Sequence, residues 1–95
     1  MTPLFIVQTS PRFERLFKKL RKHHAELPGL FREAIDILEI DPYNRTRRHS
    51  IKKLVDPRQD GQYRLRLGRF RFRYDIIGQT VELKTCAHRR ENTYN

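Results

Sequence analysis

Between Gln62 and His88 the chain alternates polar and apolar residues with a period of two, and it does so in three successive runs. Tyr63, Leu65 and Leu67 alternate with Gln62, Arg64 and Arg66. After Gly68, Phe70, Phe72, Tyr74 and Ile76 alternate with Arg69, Arg71, Arg73 and Asp75. After Gly78-Gln79, Val81, Leu83, Thr85 and Ala87 alternate with Glu82, Lys84, Cys86 and His88. Successive side chains of a strand point to opposite faces. The pattern therefore predicts three neighbouring antiparallel strands with one face buried.

The cover for that face must come from the first half of the chain. Leu4-Phe5-Ile6-Val7 is an apolar run of strand length. Ser10-Pro11 suits a helix start, serine capping the free N–H groups and proline fitting the first helical position. Phe13, Leu16, Phe17 and Leu20 then recur at helical spacing. Pro28-Gly29 breaks this helix. Leu30, Phe31, Ala34, Ile35, Ile37 and Leu38 begin a second one, which ends before Asp41-Pro42 because proline disfavours helix in the residue before it. Residues 43–61 are irregular and polar, with a short strand around Ser50–Val55 and turn signals at Asp56-Pro57 and Asp60-Gly61. Ninety-five residues make a single domain, 1–95. The expected class is α+β: an N-terminal strand and helical hairpin packed on one face of a twisted antiparallel sheet.

The same alternation gathers Arg64, Arg66, Arg71, Arg73, Lys84 and His88 on the other face, with Asp75 and Glu82 as its acids. Like charges opposite each other destabilise a sheet, and arginine offers a planar fork suited to phosphate oxygens. Twenty-one Lys and Arg against eleven Asp and Glu, a net charge of +10, also favour an anionic partner. Most strand charges are merely solvated, but a face made almost wholly of arginine argues for a ligand. A membrane surface fits less well, because the apolar stripe of the first helix is needed for the core.

Other features narrow the setting. Cys86 is the one cysteine and cannot form an internal disulfide, which fits a reducing compartment. Residues 1–9 show no signal-peptide pattern and no apolar run approaches a bilayer span, so the expectation is a cytoplasmic protein without membrane association. His23 and His24 are adjacent and point apart, and no Cys, His and carboxylate set has ligand spacing, so no metal or cofactor is expected. If the strand alternation persists, Arg90 joins the basic face with His88, whose imidazole can exchange protons near neutral pH. Tyr94 could stack on a base. The run Arg45-Thr46-Arg47-Arg48-His49, with Lys52 and Lys53, reads as either a solvated loop or a second phosphate-contacting patch.

In this order these pieces resemble the RelE/ParE superfamily of bacterial type II toxin–antitoxin toxins. The matching segments are the helical hairpin after a first strand, Lys53-Leu54, Tyr63-Arg64-Leu65-Arg66-Leu67-Gly68, Phe70-Arg71-Phe72-Arg73-Tyr74, and His88-Arg89-Arg90-Glu91 with Tyr94. They span nearly the whole chain. The resemblance implies a RelE-like fold. For the RelE-like branch it implies a ribosome-dependent mRNA endoribonuclease, an mRNA interferase that enters the A site and cuts by attack of the 2′-hydroxyl on the adjacent phosphate without a metal. Arg64 and Arg66 would be the basic pair of the central strand, Arg71 the phosphate-binding arginine and Tyr94 the stacking tyrosine. The group that protonates the leaving oxygen is His88 if the tail is aligned on Tyr94, or Arg90 if it is aligned on Arg-Glu.

RelE itself has lysines where this chain has Arg64 and Arg66. Arginine stays protonated, so His88 is the better proton-transfer group, with the arginines stabilising charge that develops on the phosphate. Arg45, Arg47, Arg48, Lys52, Lys53, Arg73, Lys84 and Arg89 would supply further RNA contacts. The resemblance also implies a cognate antitoxin with an acidic or amphipathic segment, in a monomer or a small toxin–antitoxin hetero-oligomer. ParE-type members share the fold but inhibit DNA gyrase and cleave nothing. A non-catalytic RNA-binding module of the same fold is the third reading.

Overall fold

The structure, a computed structural model, describes residues 4–54 and 61–89. Its elements are β1 (Ile6–Thr9), α1 (Pro11–Arg21), α2 (Leu27–Ile40), β2 (Ile51–Lys53), β3 (Tyr63–Leu67), β4 (Phe70–Ile77) and β5 (Thr80–His88). The strands form one sheet in the order β1-β5-β4-β3-β2. From β2 to β5 every pairing is antiparallel. β1 instead runs parallel to β5, with Ile6 beside Thr80. The sheet is therefore mixed, because the helical hairpin carries the chain back across one face before the antiparallel strands begin.

Local chemistry sets the helix ends. Ser10 Oγ accepts the Phe13 N–H at 3.0 Å, capping α1 with Pro11 in its first turn. The Ser10 N–H donates to the Leu83 carbonyl at 3.0 Å, which fastens the start of α1 to β5. α2 begins at Leu27 rather than Leu30. Pro28 lies in its first turn, where a missing N–H costs nothing, so Pro28-Gly29 opens the second helix instead of separating the two. α2 stops at Ile40, as Pro42 requires.

The core lies between the helices and the sheet. Phe13, Leu27, Ala34 and Leu38 meet Leu65, Phe72 and Leu83, all buried. The Phe13 ring centroid is 5.6 Å from that of Phe31 and 6.3 Å from that of Phe72. Truncating a core ring such as Phe72 to alanine costs about 3–5 kcal/mol.

One irregularity changes which residues face the core. Tyr74 stands opposite Leu83, but Arg73 stands opposite Thr85. Lys84 is thus the extra residue of a β-bulge, and an extra residue inverts the alternation beyond it. Val81 and Leu83 are buried before the bulge, and Cys86 and His88 after it. Thr85 and Ala87 turn to the arginine face. This corrects the expectation that Thr85 and Ala87 lie inside and that His88 lies among the arginines.

Candidate nucleic-acid interface

Strand register assembles the basic face. Arg64 lies opposite Arg73, and Arg66 opposite Arg71. Arg73 in turn faces Thr85, and Arg71 faces Ala87. On the other side Lys52 pairs with Arg64. No carboxylate stands in these two rows; Asp75 and Glu82 face each other farther along the sheet. Burial, and then the charges of Arg71, Arg66 and Arg73, lower the pKa of Arg64 below the ordinary arginine value.

These strands floor a hollow of about 370 Å³. Arg64, Arg71, Arg73, Thr85 and Ala87 line it, with Arg12 and Leu16 of α1 on the β5 side and Leu54 on the β2 side. Arg71 Nε is buried there and has no hydrogen-bond partner among the described residues. A buried donor left unpaired costs about 1–3 kcal/mol, a cost that an anionic acceptor in the hollow would remove. A smaller hollow of about 190 Å³, lined by Ser50, Ile51, Lys52, Arg64 and Arg66, adjoins the first across Arg64.

Arg73 also serves the scaffold. Its Nε and Nη2 donate to the Gly61 carbonyl at 3.0 and 2.8 Å. Lys84 pairs with Glu82 across 2.5 Å. Arg89 is exposed, and its N–H donates to the Arg69 carbonyl at 2.6 Å. Lys53 points to the face opposite Lys52, with Nζ 5.8 Å from the Tyr63 ring centroid. Arg45, Arg47 and Arg48 are exposed on the loop between α2 and β2. Arg90 and Tyr94 lie outside the described residues.

His88 is only 6% exposed. Its ring stacks on His24 at 4.3 Å and meets the Phe70 ring edge-on at 5.0 Å. It belongs to the core side, across the sheet from Arg71. Arg12, Leu16, Leu54, Thr85 and Ala87 line the hollow, and sequence reasoning missed all five. Nothing in the basic pattern of α1 separates Arg12 from Arg15 or Lys18; the attachment of Ser10 to β5 brings it to the hollow.

Searches of sequences return neither a family model nor a curated protein that matches. Solved structures do match. The chain is 25% identical to a chain of the archaeal RelE–RelB complex from Pyrococcus horikoshii, covering 94% of this chain and 97% of that one with a TM-score of 0.67. It is 24% identical to a chain of the RelBE2 toxin–antitoxin complex of Mycobacterium tuberculosis, with 94% of each covered and a TM-score of 0.69. It is 20% identical to a chain of the RelB–RelE antitoxin–toxin complex of Methanococcus jannaschii, over 88% and 92% of the two chains, with a TM-score of 0.52. This is the RelE-like toxin fold. On this RelE-like scaffold the arginine hollow lies on the sheet face away from the core, and α1 walls it on the β5 side through Arg12 and Leu16. Among the described residues no three His, Cys, Asp or Glu gather as a metal site, and no helix is long and apolar enough to cross a membrane.

Proposed function

We propose that this protein is the toxin of a type II toxin–antitoxin system and that it cuts mRNA on the ribosome, in the cytoplasm, without a metal. The observation that carries the reading is the buried Nε of Arg71, without a hydrogen-bond partner among the described residues, in a hollow shared with Arg12, Arg64 and Arg73. The likeness to chains solved with antitoxins supports the toxin role and an antitoxin partner.

In this reading one phosphate of a single strand sits against Arg71 and Arg64, and the neighbouring base packs against Leu16 or Leu54. Attack of the 2′-oxygen forms an O–P bond and breaks the bond to the 5′-oxygen, with extra negative charge on the phosphate oxygens between. Fixed guanidinium donors stabilise that charge, and removing one such donor typically costs about 10²–10³ in rate. Arginine is a poor base, and no histidine or carboxylate lines the hollow among the described residues. In this reading proton transfer is left to groups outside the described lining, such as Tyr94 of the tail or groups of the ribosome. An acidic antitoxin segment laid over the same arginines would silence the site.

The test is translation in vitro with the RNA ends mapped, with and without ribosomes. Cleavage is expected only with ribosomes, and Arg71→Ala should slow it by about 10²-fold or more. Lack of cleavage in both conditions would sink the nuclease reading. One observation favours the gyrase-inhibitor alternative: with His88 turned inward, the arginine face has no histidine among the described residues. Inhibition of DNA supercoiling by gyrase, with no RNA cut, would establish that alternative.

A further inference from the structure

Around the β2 edge from the hollow lies a second basic surface, built on aromatic rings. Tyr74 is fully buried, and its hydroxyl donates to the Pro42 carbonyl at 2.7 Å. Tyr63 stacks on it with ring centroids 5.5 Å apart and planes 16° apart. Tyr43 meets Tyr63 edge-on at 5.9 Å and Phe5 at 6.1 Å. The ladder thus runs outward from the core, and its last ring, Tyr43, is 42% exposed.

Two cations sit on these rings. The Arg45 guanidinium carbon is 5.2 Å from the Tyr43 centroid, and Lys53 Nζ is 5.8 Å from that of Tyr63. The loop presenting Arg45 is held firmly. The Asp41 carboxylate accepts the Arg45 N–H at 2.8 Å, the Thr46 N–H at 3.2 Å and the Thr46 hydroxyl at 2.6 Å. The Asn44 amide both donates to the His49 carbonyl, at 2.9 Å, and accepts its N–H, at 3.1 Å. Asp41 is itself 7% exposed, so this acid is spent inward.

We propose that Tyr43, Arg45 and Lys53 form a second surface for single-stranded RNA. A base stacks on Tyr43 or on the outer face of the Arg45 guanidinium, and flanking phosphates meet Arg45 and Lys53. Aromatic platforms interleaved with cations bind single strands in this way, because every base has a stacking face. The edge strand links the two surfaces: Lys52 pairs with Arg64 on the hollow side, and Lys53 pairs with Tyr63 on the other. A strand leaving the hollow can pass over β2 onto the tyrosine. The inference requires neither cleavage nor an antitoxin.

Fluorescence anisotropy with a labelled 2′-O-methyl oligouridylate of about twelve nucleotides tests it, a length within the range that one such platform holds. Tyr43→Leu keeps an apolar contact to Phe5 and Tyr63 but removes the stacking ring, and should weaken binding about tenfold. Arg45→Gln, at an exposed position, should weaken it several-fold and lower the salt slope by about one. An oligonucleotide bearing 5-iodouridine should photocrosslink to the peptide containing Tyr43. Wild-type affinity in both variants, with unchanged circular dichroism, overturns the proposal. Equal weakening of polyglutamate binding also overturns it, by marking a surface for acidic protein. Arg71→Ala separates the two surfaces: weakening there alone leaves only the hollow, whereas weakening in Tyr43→Leu alone upholds the second surface and removes the first. Sedimentation with ribosomes then assigns the source, since Tyr43→Leu lowers ribosome binding if the strand is ribosomal and leaves it unchanged if the strand is free mRNA.

Discussion

Arg73 and Asp75, alternate residues of β4, hold the two poles of one peptide segment. Arg73 donates through Nε and Nη2 to the Gly61 carbonyl, while the Asp75 carboxylate accepts the Gly61 and Gln62 N–H groups at 3.1 and 2.7 Å. Gly61 has φ +82°, and a Cβ there would stand 2.8 Å from Arg73 Cβ and 3.2 Å from the Tyr74 nitrogen. Neither neighbour is the far end of a flexible side chain, so the clash cannot be turned aside. Gly61→Ala should lose about 2–3 kcal/mol, and Asp75→Asn about 1–2 kcal/mol. Urea denaturation reads both, and a change under about 0.5 kcal/mol would mean that this clasp holds nothing.

His88 should behave as a core residue. His88→Ala opens space beside His24 and Phe70 and should cost about 1–3 kcal/mol. Affinity for single-stranded RNA should stay within about twofold of wild type, because the ring is on the face away from Arg71. A large loss of RNA cleavage by a His88→Phe protein with wild-type melting behaviour would contradict this and return His88 to the chemistry.

The loop after α2 should resist mild acid. Burial works to raise the pKa of Asp41, but hydrogen bonds from the Thr46 hydroxyl, the Arg45 N–H and the Thr46 N–H, aided by His49, outweigh it and hold the value below 3.8. A carboxyl whose folded pKa is lowered contributes stability that is fully present above its unfolded value, about 3.9, and is lost as pH falls through the folded one. Asp41→Asn should therefore cost about 1–3 kcal/mol at pH 7. The gap between the two proteins should stay constant down to about pH 5 and close only well below about pH 4. Chemical denaturation across that range measures it, and a gap that already closes near pH 6 would show that these hydrogen bonds do not hold the Asp41 carboxylate.

Cys86 should be inert in the folded protein. It is 2% exposed, and burial pushes its thiol up to about 12. The thiolate is the reactive form, so labelling by an aromatic disulfide reagent at pH 8 should be slow in buffer and complete within minutes in denaturant. Fast labelling in buffer would show that β5 opens readily.

Much of the fold was legible because alternation and helical spacing report burial directly. Phe70, Phe72 and Tyr74 could face only one way, and Ser10-Pro11 announced α1. The bulge at Lys84 was hidden because an inserted residue leaves the local pattern intact while reversing its meaning. The available hint was Cys86, a better core residue than Thr85. The hollow was half legible: the arginines of β3 and β4 share a face by parity, whereas Arg12 and Leu54 reach it through contacts between distant segments. The same holds for Gly61, whose turn signal gave no sign that Arg73 and Asp75 would seize it.

The parallel pairing of β1 with β5 carries a consequence for the order of assembly. β3, β4 and β5 are joined by two tight turns, at Gly68 and Gly78, both with positive φ. That meander can nucleate from near neighbours in sequence. β1 must wait for a partner that lies most of the chain away, Ile6 for Thr80 and Thr9 for Leu83, and long closures cost entropy before they return any contact. α1 is fastened to the same strand through Ser10, so the Arg12 side of the hollow is completed late. Val7→Ala should accordingly speed unfolding while barely changing the folding rate, whereas Phe72→Leu should slow folding. Stopped-flow chevrons separate the two, and a slowed folding limb in Val7→Ala would place β1 in the nucleus. On this route the arginines of β3 and β4 are gathered early, and the groove between them and α1 is among the last features to form.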